Sequence, residues 1–383
     1  MSDVLGGRSP IRTHINKILD IHWAFVFLLC IIASVGFGML ISVAEGHLDP
    51  WASRQMVRFG IGLVVLVAVA VVDIRIWMTL AYPAYALALL LLVGVELFGT
   101  IGMGAQRWID FGVFRLQPSE LMKITLVLAL ARYFHGITLD QVSRPVYLLA
   151  PLLLIAMPVV LVLRQPDLGT SLLLAFGGFS LLFLSGISWK WLAAGAGAAL
   201  AAIPLGWQFV LAPYQKARIL TFLEPEADIR GAGWHILQSK IALGSGGVFG
   251  KGWLQGTQSH LDFLPEKQTD FIFTMLAEEF GLVGALTLLG LYLLVLGYGL
   301  AIAMQTRSQF GRLVVMGVCV TFLLYILINT AMVVGMIPVV GVPLPLVSYG
   351  GTAMMTLMFG FGLLMCVYVH RDVDLPRHSN SFI

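Results

Sequence analysis

The stretch WAFVFLLCIIASVGFGMLISVA, Trp23 to Ala44, decides the fold. It holds no Asp, Glu, Lys, Arg or His. The hydrocarbon core of a bilayer takes about 20 such residues as a helix. Only helices and closed barrels satisfy the backbone at that depth, and a barrel would show alternating segments of about ten residues instead. Apolar runs of the same kind recur at 56–72, 77–98, 119–135, 147–163, 168–187, 189–210, 271–303, 313–337 and 349–369, so ten spans are expected.

The whole chain agrees with this stretch. Its 383 residues are 59% hydrophobic and 11% charged, with mean hydropathy +0.92. A soluble domain is about 45–50% apolar and about 25% charged. A soluble enzyme, a disordered chain and a nucleic-acid binder are therefore excluded, and a net charge of +3 is too small and diffuse to steer a partner. The expected fold class is an all-α polytopic membrane protein. A single domain over 23–370 lies between an N-terminal segment 1–22 and a tail 371–383. The first run is too long for a signal peptide and lacks a small-residue cleavage pattern, so it is read as a retained span. Cys30, Cys319 and Cys366 sit inside apolar runs and read as packed hydrophobes.

Lys and Arg of the short connections crowd the side that holds both termini. The other side carries only Arg54, Arg58, Arg107, Arg115 and Arg164. The positive-inside rule then makes both termini cytoplasmic. The longest connection, 211–270 between spans seven and eight, faces outward. A loop of that length is usually functional, so the chemistry is expected at the outer surface.

Several residues there can carry chemistry. Asp270 stands at the mouth of the eighth span before Phe271, Ile272 and Phe273. Desolvation would raise its pKa toward that of a working general base, while Thr269 or Asp270 could equally cap the helix. Asp262, Glu266 and the pair Glu278-Glu279 add acids nearby. Arg107 beside Trp108 could bind a phosphate or sugar, with Trp108 as an interface anchor. Glu120 and Lys123 share a helix face inside an apolar run, either as a functional pair or as a structural tie. The turn Arg164–Thr170 could hold a diphosphate or merely anchor its hairpin, with Asp167 capping the next helix. Lys216 and Arg218 open the long loop amphipathically and could snorkel to lipid phosphates. The glycine-rich stretch ending at Gly250-Lys251 fails as a P-loop, because Gly252 stands where Ser or Thr is needed; a flexible interfacial turn is expected. Asn329 is polar within the ninth span, and PVVGVPLPLVSYGGT, 338–352, reads as a re-entrant wall of the outer cavity.

Six segments in register go further: GAQRWID (104–110), LQPSELMK (116–123), QPDLGT (165–170), RILTFLEP (218–225), LPEKQTDFIF (264–273) and PLPLVSYGG (343–351). Together they resemble the SEDS family of cell-shape and division proteins. GTQSHLDFLPE, 256–266, and the short termini resemble its elongation branch more than its division branch. The resemblance implies a peptidoglycan glycosyltransferase of the bacterial cytoplasmic membrane with its site facing the periplasm or exterior. Such an enzyme polymerises lipid II into β-1,4 glycan, with inversion, from a strand on undecaprenyl diphosphate. It implies Asp270 as the general base. Arg107, Trp108, Glu120, Lys123, Asp167, Lys216, Arg218, Lys240 and Glu266 are implied as substrate-binding positions. It also implies a class B penicillin-binding protein (transpeptidase) and elongation scaffold proteins as partners. No cofactor is required by the sequence and no metal site is defined by spacing, although a divalent cation, Mg or Mn, could share the diphosphate charge. A lipid II flippase and a non-catalytic scaffold for the transpeptidase stand as alternatives.

Overall fold

The computed structural model describes residues 14–102, 105–110, 112, 115–210, 213–224, 232–257 and 266–377. Asp262 and most of GTQSHLDFLPE lie outside them. The helices run α1 (His14–Leu19), α2 (Trp23–Val43), α3 (Ala52–Val71), α4 (Ile74–Phe98), α5 (Pro118–His135), α6 (Leu139–Val142), α7 (Pro145–Arg164), α8 (Leu168–Leu184) and α9 (Trp189–Leu205). Then follow α10 (Pro213–Leu223), α11 (Ala232–Ser245), α12 (Ile272–Gln305), α13 (Gln309–Val334) and α14 (Gly351–Val369). Each of the ten expected spans falls on one of these helices. Seven are long and apolar enough to cross a membrane by themselves: α2, α3, α4, α7, α12, α13 and α14. α8 is apolar but has 17 residues, and α5 carries Glu120 and Lys123 within its first two turns.

One feature is absent from the sequence reading. A small antiparallel sheet follows α4, with strands β1 (Thr100–Gly102), β2 (Ala105–Asp110) and β3 (Arg115–Leu116) in that order. β1 and β3 are too short to show a period, and the six residues of β2 do not alternate apolar with polar. Asp110 and Arg115 pair across β2 and β3, with Arg115 Nε 3.1 Å from Asp110 Oδ2. The long connection is also structured, since α10 and α11 occupy much of it.

The expectation of a flexible glycine-rich turn is corrected too. Gly246 to Gly252 straps onto α12 where that helix breaks at Gly281 (φ 65°, ψ −163°). Lys251 N donates to Glu278 O (3.0 Å), Gly252 N to Glu279 O (2.9 Å), Leu282 N to Gly247 O (3.0 Å) and Val283 N to Val248 O (3.1 Å). A Cβ on Gly250 would lie 2.1 Å from Glu279 O. These glycines let two backbones touch, which binding a phosphate does not require.

Helices in lipid gain little from burying apolar surface against each other, so they associate by close packing at small residues. α14 is the most enclosed of the seven, with 78% of its apolar window buried against 28% for α7. Gly62 of α3 lies against Met358, and Gly362 of α14 against Val69 and the Leu66 carbonyl. A T-shaped aromatic chain, Phe25–Phe361–Phe322–Tyr292, ties α2, α14, α13 and α12 at centroid spacings of 5.6, 5.4 and 5.4 Å. Gly36 of α2 meets the 343–350 segment, where an added Cβ would stand 2.7 Å from Val347 Cα. Gly36→Ala should therefore cost about 1–3 kcal/mol through overpacking against backbone. The check is a lower unfolding temperature in detergent than for Gly38→Ala, where the added Cβ meets nothing.

Candidate active site

Asp270 lies in a turn just before α12, and that turn is built from its own backbone. Glu266 starts it with left-handed φ 59°. The Glu266 carbonyl accepts from Thr269 N (3.0 Å) and Phe271 N (3.4 Å), and Thr269 Oγ1 donates to Glu266 Oε2 (2.9 Å). Phe271 is the N-cap of α12, with no side-chain capping bond. The capping alternative for Thr269 and Asp270 is thus not realised, and the Asp270 carboxyl remains available for chemistry.

The re-entrant segment after α13 closes on this turn. Ser348 Oγ donates to Thr269 O (2.5 Å) and accepts from Leu344 N (2.7 Å). Tyr349 N donates to Gln268 O (2.8 Å). From behind, Gln55 Nε2 donates to Ser348 O (2.9 Å) and the Tyr292 hydroxyl to Pro345 O (2.7 Å). Gly341, at φ 73°, faces the acid, and a Cβ there would stand 3.4 Å from Asp270 Oδ2.

Burial pushes the Asp270 carboxyl up to about 7, and the Glu266 carboxylate adds to the rise. Arg218 pulls it down, Asp167 raises it, and Arg107 lowers it again. These four groups are the charges the fold brings to bear on Asp270. Arg107, on β2, donates from Nε to Gln165 O (3.3 Å) and from its guanidinium to Pro166 O, with Nε 3.8 Å from Asp167 Oδ2. Asp167 caps α8 as expected, accepting from Thr170 N (3.1 Å) and Thr170 Oγ1 (2.9 Å). Arg218 is exposed on α10 and donates to Val339 O (3.4 Å).

The remaining sequence candidates sit differently. Lys216 is half-buried on α10. Trp108 is half-buried in β2, opposite Thr100. Lys240 of α11 lies over Gly335, the left-handed cap that ends α13; a Cβ on Gly335 would be 2.8 Å from its Nζ. A cation there offsets the helix C-terminus. Lys251 pairs with buried Glu278 at 2.6 Å and donates to Thr257 Oγ1 at 2.7 Å.

Glu120 and Lys123 are both 4% exposed and form an ion pair at 2.7 Å. The sequence reading missed their third member. The Tyr325 hydroxyl of α13 donates to Glu120 Oε2 (2.5 Å) and is hydrogen-bonded to Lys123 Nζ. Nothing in a tyrosine 202 residues away signals this in the sequence. Gln55 and Ser348 were also missed, although a lone Gln in the apolar third helix was a usable signal. Among the described residues no three His, Cys, Asp or Glu side chains gather as a metal site.

A cell-cycle protein family model, FTSW_RODA_SPOVE, matches residues 17–373. The chain belongs to this family. Among its FtsW/RodA/SpoVE relatives, the peptidoglycan glycosyltransferase MrdB of Escherichia coli (strain K12) is 45% identical over 354 residues, covering 92% of this chain and 95% of that one. The peptidoglycan glycosyltransferase RodA of Treponema pallidum is 32% identical over 430 residues, covering 92% and 98%. A chain of a peptidoglycan synthase complex, solved to show coordination of polymerization and crosslinking, superposes with TM-score 0.80 at 34% identity over 92% of this chain and 99% of that one. The rod shape determining protein RodA of Thermus thermophilus superposes with TM-score 0.70 at 32% identity, covering 92% and 98%. The helical membrane fold is that of the RodA structures.

Two outcomes follow from the family site as built here. Lys123→Ala leaves Glu120 buried without its cation and should cost about 3–5 kcal/mol, whereas Glu120→Gln with Lys123→Met should recover most of that loss. Unfolding temperatures of the single and double variants check this. Gly341→Ala puts a methyl group against the Asp270 carboxylate at a left-handed φ, and should lower polymerising activity more than it lowers stability, for which about 1 kcal/mol is expected.

Proposed function

We propose that this chain is a peptidoglycan glycosyltransferase of the elongation type, polymerising lipid II at the outer face of the bacterial cytoplasmic membrane. All ten apolar helices cross in this reading. The termini are cytoplasmic, and the Asp270 turn faces the periplasm or exterior. The observation that carries the reading is a carboxyl that burial holds near pKa 7 and that feels the charge of two arginines, within a family whose relatives bear that activity in name. A class B penicillin-binding protein would supply the crosslinking step. The synthase complex superposed above supports such a partner, and elongation scaffolds would join it.

The chemistry runs as follows. The 4-hydroxyl of the lipid II GlcNAc gives its proton to the Asp270 carboxylate as its oxygen attacks C1 of the strand on undecaprenyl diphosphate. The new C1–O bond forms opposite the breaking bond to the diphosphate, which inverts α to β. The electron pair leaves with the diphosphate, so that group needs positive charge more than a proton donor. Arg107 and Arg218 are placed to supply it. Glu266 and Asp167 set the charge around Asp270, while Glu120–Lys123 and Lys240 act through the packing of α5 and α13.

A transporter would need polar groups along a path through the bilayer, and a scaffold would not need Asp270. Asp270→Asn should drop polymerisation of purified lipid II by about 10²-fold or more, the scale of a lost general base. Wild-type and variant chains, each bound to a partner whose own catalytic serine is removed, would be compared on a gel that resolves glycan length. Retained polymer would move the base elsewhere. A carboxyl held up at about 7 is protonated in acid, so wild-type rate should rise with pH through about 7 and level off above it. The same raised value means that folding keeps the neutral form more easily than the charged one, a stabilisation present at low pH and lost as pH rises through about 7. Asp270→Asn should therefore be no less stable than wild type at pH 8, which separates lost chemistry from lost fold. For sidedness, a cysteine at exposed Gln255 should react with a membrane-impermeant maleimide added outside intact cells; protection there with labelling from the cytoplasm would overturn the topology.

A further inference from the structure

Asn329 is the polar residue of α13 that the reading above leaves unused. It is fully buried. Its Nδ2 donates to Asp270 O at 2.9 Å and to Val342 O at 2.7 Å. Both partners are carbonyl oxygens, so the amide orientation is forced: the opposite flip would aim oxygen at oxygen. Both N–H bonds are thus spent on two different segments, the turn before α12 and the re-entrant wall. Its Oδ1 has no hydrogen-bond partner among the described residues.

The two carbonyls belong to particular residues. One is that of Asp270 itself. The other is that of Val342, next to Gly341, whose α-carbon faces the Asp270 carboxylate. A single amide therefore fixes the backbone bearing the acid and the backbone the acid packs on. Four residues back along α13, one helical turn, Tyr325 is locked to Glu120 and Lys123 of α5. The buried ion pair, Tyr325, Asn329 and the Asp270 turn thus form one connected support. A buried polar side chain tolerated at the cost of an unpaired oxygen, and joined to the acid's own carbonyl, is a brace for that acid rather than filler.

We infer that Asn329 is a positioning residue, setting the gap between Asp270 and the Gly341 wall and so the exposure and aim of the carboxylate. This rests on the reading of Asp270 as the base. Backbone shifts of about an ångström near reacting groups cost on the order of 10²-fold in rate.

The test uses the full chain with its partner and purified lipid II, measuring kcat, KM and the pH dependence of kcat for wild type, Asn329→Ala and Asp270→Asn. Expected for Asn329→Ala is a roughly ten- to hundredfold drop in kcat, with KM changed less than about threefold. The acid limb of its profile should move to lower pH, as a loosened turn lets water reach the carboxylate. A merely structural role would lower the amount of folded protein and leave the limb of the surviving fraction where it was; that result overturns the inference. Full kcat with an unmoved limb in Asn329→Ala, beside an inactive Asp270→Asn, removes the positioning role and leaves the base. An active Asp270→Asn removes both. If Asn329→Ala does not fold, Asn329→Ser keeps one donor, and the same limb shift at smaller size decides.

Discussion

Backbone that leaves the helix at membrane depth must find every partner inside the protein, because lipid offers none. The site of this chain is made of backbone outside its helices, where burial makes the same demand. The turn 266–271 and the wall 338–350 each carry amide and carbonyl groups that no helix satisfies. They solve the problem for each other through Tyr349 N on Gln268 O and Ser348 Oγ on Thr269 O. Gln55 and Tyr292 then satisfy wall carbonyls from the helices behind. Gln55, Tyr292 and Asn329, polar residues inside apolar helices, are thus each placed where they meet an open backbone group of the irregular site.

The same constraint explains α12. Breaking a membrane helix at Gly281 frees the groups of Glu278, Glu279, Leu282 and Val283, and the glycine strap 246–252 takes them up one by one. Glu278 is buried at that break, and Lys251 and Thr257 of the strap meet its carboxylate. The ion pair and the backbone bonds act at one place, so strap and helix stay together as the chain passes from the long connection into the bundle. What the glycines contribute is closeness.

Much of this was legible in the sequence, and the limits are physical. Span positions came from apolar runs, a signal that survives any tertiary detail, and all ten fall on helices. Asp167 was readable as a cap because an Asp after a proline and before an apolar run has few other local uses; it does cap α8. Asp270 was ambiguous between capping and catalysis, since both place an acid at a helix mouth, and only the observed N-cap at Phe271 separates them. The sheet at 100–116 was missed because β1 and β3 are too short to leave a period, and the six residues of β2, AQRWID, do not alternate apolar with polar. Tyr325, Gln55 and Ser348 were missed for a different reason. Their partners lie 205, 293 and 79 residues away, and no local pattern encodes such pairings. The glycine run was misjudged because one composition serves both a mobile turn and a close backbone contact.

The charge balance around Asp270 ties fold to chemistry. A diphosphate leaving group calls for cations, yet cations beside a carboxylate lower its pKa and weaken it as a base. Here the lowering influences of Arg218 and Arg107 are outweighed, first by burial and then by Glu266, and the carboxyl stays near 7. Burial and the nearness of Glu266 both depend on the turn remaining shut. Arg107 is also held back, since the carbonyls of Gln165 and Pro166 and the Asp167 carboxylate already occupy its guanidinium. In the proposed reaction, a rigid wall is thus the condition that lets one small site be cationic enough for a diphosphate leaving group and still keep a carboxylate basic at neutral pH. Gln55, Tyr292, Asn329 and Ser348 supply that rigidity through hydrogen bonds from distant parts of the chain.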